Sequence, residues 1–330
     1  MKRGVMLAAI LALCGTLAFS GCTRGQTDSS QAGANNVQAA AQAAQPNASD
    51  FDPPKDAPPA PRVDAKRAFQ YVREVVDIGP RPIGSTGHQT LENYLRSKLK
   101  GVDVEEDAFT AQTPAGAFPM RNFIAKFPGK KDGVVVIAGH YDTNLPLKNY
   151  VGANDGGSST GILLEFADVL RASQRDGYSV WLVWVDGEEA TVKWTATDSL
   201  YGSRHLAERW QNDGTAKKVK AFILLDMIGD ADLNIDRDQN STPWLTEVVG
   251  RAAQKLGYHS HFFKRETAMD DDHRPFANVG IPVIDLIDFD YGFNNIFHHT
   301  SEDKLDKLSP QSLEIVGNTV LETLRMLDSR

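Results

Sequence analysis

The segment Trp181-Leu182-Val183-Trp184-Val185-Asp186-Gly187-Glu188-Glu189-Ala190 constrains this 330-residue chain more than any other. An apolar run that breaks directly into two adjacent carboxylates reads as a strand delivering acids at its end, where open α/β sheets assemble their reaction sites. Adjacent acids at a buried strand end repel each other and lose hydration. They are tolerated where a cation binds one or a proton shuttles on the other. The pattern recurs along the chain. Val134-Val135-Val136-Ile137-Ala138-Gly139 leads into His140, Tyr141 and Asp142, and the following loop carries Asp155 within Gly152-Ala153-Asn154-Asp155-Gly156-Gly157. Ala221-Phe222-Ile223-Leu224-Leu225 ends in Asp226, and Phe297-His298-His299-Thr300 supplies imidazoles. Any one of these reads equally well as a helix cap or a turn histidine. Four together point to a metal held by carboxylates and histidines.

Helical periodicity is expected at Val63 to Val76, Thr90 to Leu99, Thr160 to Leu170 and Leu200 to Trp210. A last helix should begin after Ser309 as N-cap with Pro310 in its first turn, and carry Leu313, Val316, Val320, Leu321 and Leu324 on one face. Further strands are expected at Asn122 to Phe127 and Ile281 to Ile287, with an edge strand near Val104 to Ala111 that runs antiparallel. Strands alternating with helices imply the α/β class: a three-layer α/β/α arrangement around a central, mostly parallel mixed sheet.

The N-terminus reads as an export signal over residues 1–21. Lys2 and Arg3 precede an apolar run from Val5 to Phe19, and Ser20-Gly21-Cys22 follows. Small residues before a cysteine resemble a bacterial lipobox, which implies cleavage before Cys22 and acylation of its thiol. An ordinary secretory signal or an uncleaved anchor is the alternative, and either still exports the protein. Residues 22–62, rich in Ala, Gln and then Pro, read as a disordered tether, and residues 63–330 as one catalytic domain. Cys14 leaves with the signal, so the mature chain retains only Cys22, already committed to lipid. No internal disulfide, cysteine zinc site or thiol nucleophile is then available. A formal net charge of −8 without a basic, aromatic-interleaved cluster argues against a nucleic-acid partner.

Taken together, Gly139-His140-Tyr141-Asp142, Asn154-Asp155-Gly156-Gly157, Gly187-Glu188-Glu189, Leu225-Asp226-Met227, Asp272-His273 with Pro275-Phe276, and His299-Thr300 resemble the M28 zinc exopeptidases. The resemblance covers roughly residues 64–328. Within that group, the Trp194 to Ala207 stretch and the doubled aspartate of Asp270-Asp271-Asp272-His273 are similar to the glutaminyl-peptide cyclotransferases. The resemblance implies the zinc exopeptidase (phosphorylase/hydrolase-like) fold and conversion of N-terminal glutamine of peptides to pyroglutamate with release of ammonia. It implies zinc on Asp155, Glu189 and His299, Glu188 as proton carrier assisted by Asp226 and Asp271, and Trp194 in the pocket for the glutamine side chain. Cyclases often carry tryptophan where His298 stands here. The alternative is a two-zinc M28 aminopeptidase in which Asp155 bridges and His140 and Asp226 hold the second ion; one zinc is expected for the cyclase. A binding lipoprotein on a degenerate enzyme fold is a third reading, set against a complete set of site residues.

From the residues themselves, Glu188 and Glu189 should point apart if the chain is extended there, since successive strand side chains alternate. That gives one to an ion and the other to protons. The expected partners are peptide or protein N-termini and, through the lipid, a membrane. The catalytic domain is expected to be monomeric, on the periplasmic side of the outer membrane, because Thr23 rather than Asp follows the acylated cysteine.

Overall fold

The computed structural model describes residues 45–172 and 174–330. The signal segment and Cys22 lie outside them. A six-stranded sheet forms the centre, in the order β1-β2-β4-β3-β5-β8. Its strands are β1 (Asp103–Thr113), β2 (Gly116–Phe127), β3 (Gly129–His140), β4 (Arg175–Val185), β5 (Val219–Asp226) and β8 (Val283–Ile287). β1 and β2 form an antiparallel hairpin that joins β4 antiparallel, as expected for the edge. The β4/β3, β3/β5 and β5/β8 pairs are parallel.

Period-two side-chain alternation divides the central strands between two cores. Val135, Ile137, Leu182, Trp184, Ile223 and Leu225 face one layer. Val134, Val136, Ala138, Val183, Val185, Phe222 and Leu224 face the other. Strands buried on both faces read as unbroken apolar runs, which is why these segments stood out in the sequence. Helices α1 (Ala65–Asp77), α2 (Thr86–Lys98), α3 (Gly157–Arg171), α5 (Pro243–Lys255) and α7 (Pro310–Leu327) contribute to the first core. Helices α4 (Tyr201–Asp213) and α6 (His273–Asn278) cover the second. The crossover from β3 to β4 runs through α3 on one face, and that from β4 to β5 through α4 on the other. The chain thus reverses its winding at the carboxyl end of β3, where such sheets open a crevice.

Ser309 caps α7 by accepting from the Gln311 amide, with Pro310 at its start, as expected. Helix α2 begins at Thr86, earlier than Thr90, because Ser85 caps it by accepting from the His88 amide and its first turn is polar. Four helices and strands went unpredicted: α5, whose Pro243 start and Leu245, Val248, Val249 stripe were legible, the short helix α6, and the short parallel pair β6 (Ile235–Asp238) and β7 (Phe262–Thr267).

The tether boundary at residue 62 requires correction. The compact unit begins at Pro46. Phe51 is 4% exposed and stacks on Trp244 with ring centroids 5.1 Å apart, while Arg330 lies over its other side. Asp52 pairs with Arg251, and Arg325 donates to the Pro58 carbonyl. One aromatic in an otherwise polar, Pro-rich stretch suffices to dock it, a contact that composition cannot reveal.

Candidate active site and metal centre

The carboxyl ends of β3, β4 and β5 deliver His140, the Asp186 to Glu189 turn and Asp226 to one crevice. Two glycines make the turns possible. Gly187 has φ +64, and a Cβ there would meet the Met120 sulfur at 2.6 Å. Gly156 has φ +77, and a Cβ would sit 2.8 Å from the Asp142 carbonyl oxygen. Both conformations favour glycine. Asp142 then clamps the acidic pair from below: its carboxylate accepts from the Glu188 amide at 3.1 Å and the Glu189 amide at 3.3 Å.

The expected divergence of the two glutamates is present. Glu189 accepts from Asn144 Nδ2 at 2.8 Å, and its Oε1 lies 3.2 Å from His299 Nε2. Glu188 turns away, with its Oε2 3.8 Å from His140 Nδ1. Asp155 stands between two imidazoles. Its Oδ2 is 3.3 Å from His299 Nε2, and its Oδ1 is 3.0 Å from His140 Nε2. His140 Nε2 is also 3.3 Å from Asp226 Oδ1. Asp155, Glu189 and His299 therefore form one cluster, and Asp155, His140 and Asp226 a second that shares its first member.

Both clusters fit a metal. Ligand atoms about 2.0–2.1 Å from a tetrahedral zinc stand about 3.3 Å from one another, which matches the contacts of both imidazoles. Among the described residues, both ring nitrogens of His140 and Oδ1 of Asp226 are buried and find no hydrogen-bond partner despite these short distances. Donor atoms that converge without aligning for hydrogen bonds are arranged as ligands around a common cation. A nitrogen of His298 also lies within reach of Asp155. That ring instead stacks on His299, centroids 3.9 Å apart, and it is His299 that contacts both carboxylates.

A cavity of about 340 Å³ opens over the first cluster. Its wall includes Glu188, Asp226, Asp271, Trp194 and His298, together with Met269, Ile287 and Phe289. Trp194 comes from the loop after the glutamates and is 37% exposed, so it forms part of the rim. Every residue predicted for the site reaches this cavity or the two clusters beneath it.

The electrostatics separate the groups by role. Burial, with the neighbouring charges of Glu189, Asp271 and Asp272, raises the Glu188 carboxyl well above the usual range, and His140 only partly opposes this. Asp271 is raised well above by burial and by the charges of Asp226 and Asp272. Burial pulls His299 down, but its bonds to Asp155 and Glu189 win and push it up to about 11. Burial lowers His298, leaving a neutral ring in the wall. Such divergence among crowded titratable groups marks a reaction site.

Sequence reasoning missed Asn144, Tyr150 and Asp303. Tyr150 donates to Asp155 Oδ2 at 2.5 Å, and Asp303 accepts from the Asn154 and Asp155 amides. None carried a signal, because each acts through a partner distant in sequence or hidden in an ordinary loop.

The family model for peptidase family M28 matches residues 122–324. A glutaminyl-peptide cyclotransferase of Bothrops jararaca is 31% identical over 286 residues, spanning 74% of this chain and 77% of the relative. Among solved structures, the glutaminyl cyclase of an Acidobacteriales bacterium is 51% identical with a TM-score of 0.81, covering 84% of this chain and 99% of that one. The Porphyromonas gingivalis glutaminyl cyclase is 31% identical with a TM-score of 0.71, covering 79% and 98%. The motifs around His140, Asp155, Glu188-Glu189, Asp226 and His299, the fold that gathers them and these likenesses agree: the chain belongs to peptidase family M28, in its glutaminyl-peptide cyclotransferase branch.

Proposed function

We propose that this enzyme cyclises the N-terminal glutamine of peptides to pyroglutamate, using one zinc ion held by Asp155, Glu189 and His299. The observation that carries the reading is the pairing, in one cavity, of the Glu188 carboxyl and the Trp194 rim with that three-ligand cluster, in a chain 51% identical to a glutaminyl cyclase. Bound there, zinc would supply Lewis acidity toward the γ-amide carbonyl.

The chain's own residues supply the rest. The walls formed by Trp194, Ile287, Phe289 and His298 hold the side chain curled, so that the α-nitrogen faces its own γ-carbon; ring closure gains from this near-attack geometry. Glu188 accepts a proton from the attacking α-nitrogen as the new C–N bond forms. It then returns that proton to the γ-nitrogen as the old C–N bond breaks, and ammonia leaves. Asp226 and Asp271 stand at the same wall, and the charge of Asp271 strengthens Glu188 as the base that takes the α-nitrogen proton.

One observation favours a second reading. The unpartnered nitrogens of His140 and oxygen of Asp226 fit a second ion bridged by Asp155, as a two-zinc aminopeptidase requires. An ammonia-coupled assay on glutaminyl peptides, beside a chromogenic assay on leucyl and alanyl amides and zinc analysis of the same sample, decides. Ammonia release, negligible amide hydrolysis and one zinc are expected. Free amino acids, no ammonia and two zincs would establish the aminopeptidase instead.

The enzyme works, on this reading, as an exported monomer anchored by lipid on Cys22 at the periplasmic side of the outer membrane. Ser20-Gly21-Cys22 and Thr23 support this. Radiolabelled fatty acid should enter the wild type but not Cys22→Ser, which should be released or misprocessed. An unmodified soluble chain with a different N-terminus would refute the anchor.

A further inference from the structure

We propose that Asp303 is a positioning residue that fixes the distance between the metal ligands Asp155 and His299. The proposal rests on the assignment of those two residues as ligands. Asp303 lies four residues beyond His299 and is fully buried. Its carboxylate reaches back under the turn that bears the other ligand. Oδ1 accepts from the Asn154 amide at 2.8 Å, and Oδ2 from the Asp155 amide at 3.2 Å. Tyr291 donates its hydroxyl to Oδ1 at 2.8 Å. Tyr150 stands between the two aspartates, 2.5 Å from Asp155 Oδ2 and 3.3 Å from Asp303 Oδ2. A phenol has one proton, and the shorter contact assigns it to Asp155.

One side chain thus grips the backbone of the Asp155 turn while belonging to the segment that presents His299. Three features show why a grip is needed there. His299 sits at φ +52, a left-handed conformation that a non-glycine residue holds only when its surroundings enforce it. The turn bearing Asp155 passes through Gly152 and Gly156, both at positive φ. The Asn154 side chain already ties that turn to β5, donating to the Met227 carbonyl and accepting from the Gly229 amide. Asp303 adds the missing tie, from the turn to the His299 segment. A carboxylate is suited to it because two oxygens accept from two adjacent buried amides at once. An asparagine offers one oxygen and sets an N–H donor against one of those amides.

The test is zinc affinity of the full-length chain, measured by competition with a chromophoric chelator, with the cobalt-loaded absorption spectrum as a second readout. Residues that orient metal ligands cost about 10–100-fold in metal affinity when replaced. Asp303→Asn should weaken zinc binding by about that factor and shift the cobalt bands, with the far-ultraviolet circular dichroism unchanged. A folded Asp303→Asn that binds zinc as tightly as the parent, with the parental cobalt spectrum, overturns the proposal. If Asp303→Asn does not fold, Tyr291→Phe decides, since it removes only the hydroxyl on Oδ1. A several-fold loss of affinity at an unchanged apoprotein melting temperature supports the proposal, and parental affinity overturns it. A parent that itself takes up no zinc overturns the ligand assignment beneath the proposal, and its own stoichiometry tells that failure apart.

Discussion

One peptide unit separates Glu188 from Glu189, yet their carboxylates belong to different chemistry. Glu189 is drawn to Asn144 and His299, whereas Glu188 faces His140 and the cavity. Glu188→Gln should keep zinc and fold while lowering kcat by about 10²–10⁴-fold, the usual worth of a positioned proton carrier. Glu189→Gln should lose zinc. Metal analysis beside kinetics checks both, and equal zinc loss would mean the two roles are assigned wrongly. His88 offers a separate titration below the turn, with Nε2 2.7 Å from Asp186 Oδ1. Burial opposes its charge, but the Asp186 carboxylate outweighs burial and raises it. A histidine raised on folding stabilises the fold fully below its unfolded value near 6.5, and that contribution is lost as pH climbs through the folded value. Melting temperatures of wild type and His88→Gln should therefore differ most below about pH 6.5 and converge as pH climbs past the raised folded value. A gap that widens with rising pH would refute the linkage.

The elements that make the site are mostly loops held by single polar residues. The loop that carries Trp194 closes on Asp198, whose carboxylate accepts from the Thr191, Val192 and Lys193 amides and from the Thr191 and Tyr201 hydroxyls. Burial opposes the charge, but these donors hold the carboxyl well below the usual range. Asp198→Asn removes acceptor capacity from the loop and should let Trp194 drift from the cavity. KM for glutaminyl peptides should rise about tenfold, equivalent to about 1.4 kcal/mol, with zinc content unchanged. An unaltered KM would show that the loop holds its shape without the aspartate. Arg81 plays the corresponding part beneath the Asp155 turn. It is fully buried and donates to the Val151 and Gly152 carbonyls as well as to Gly79 and Tyr141. Its planar fork reaches several carbonyls that a lysine would not.

At the scale of the whole molecule, the strap from Pro46 to Arg62 belongs to the folded unit. Phe51 lies between Trp244 of α5 and Arg330 beyond α7, on a face whose residues take no part in the cavity wall. Replacing a buried phenylalanine by alanine costs about 3 kcal/mol, which for a domain of this size lowers Tm by roughly 5–10 °C. Phe51→Ala, or a chain started at residue 63, should melt earlier by about that margin yet keep its zinc and its activity at 25 °C. Calorimetry of chains started at residues 46 and 63 checks it; identical melting would return the strap to the role of a free tether.

The sequence by itself determined the elements whose signal is local. Unbroken apolar runs such as Val134 to Ala138 and Phe222 to Leu225 had to be strands covered on both faces. Ser309-Pro310 had to start a helix, and Glu188-Glu189 had to sit where charge is compensated. Gly156 and Gly187 stood beside the acidic motifs in the sequence, but the turns they make and what each turn approaches were not read from it. Tertiary structure alone decided the rest. Asp155 faces two imidazoles because β3, β5 and the segment of residues 297–303 converge on one crevice. Asp303 binds that turn from about 150 positions away in the chain. Phe51 docks because α5 and the C-terminus leave a place for one ring. Periodicity and capping act between neighbours in sequence and are written there. A buried hydrogen bond or a stacked ring depends on which surfaces the whole fold brings within about 3–5 Å, and no local pattern encodes that.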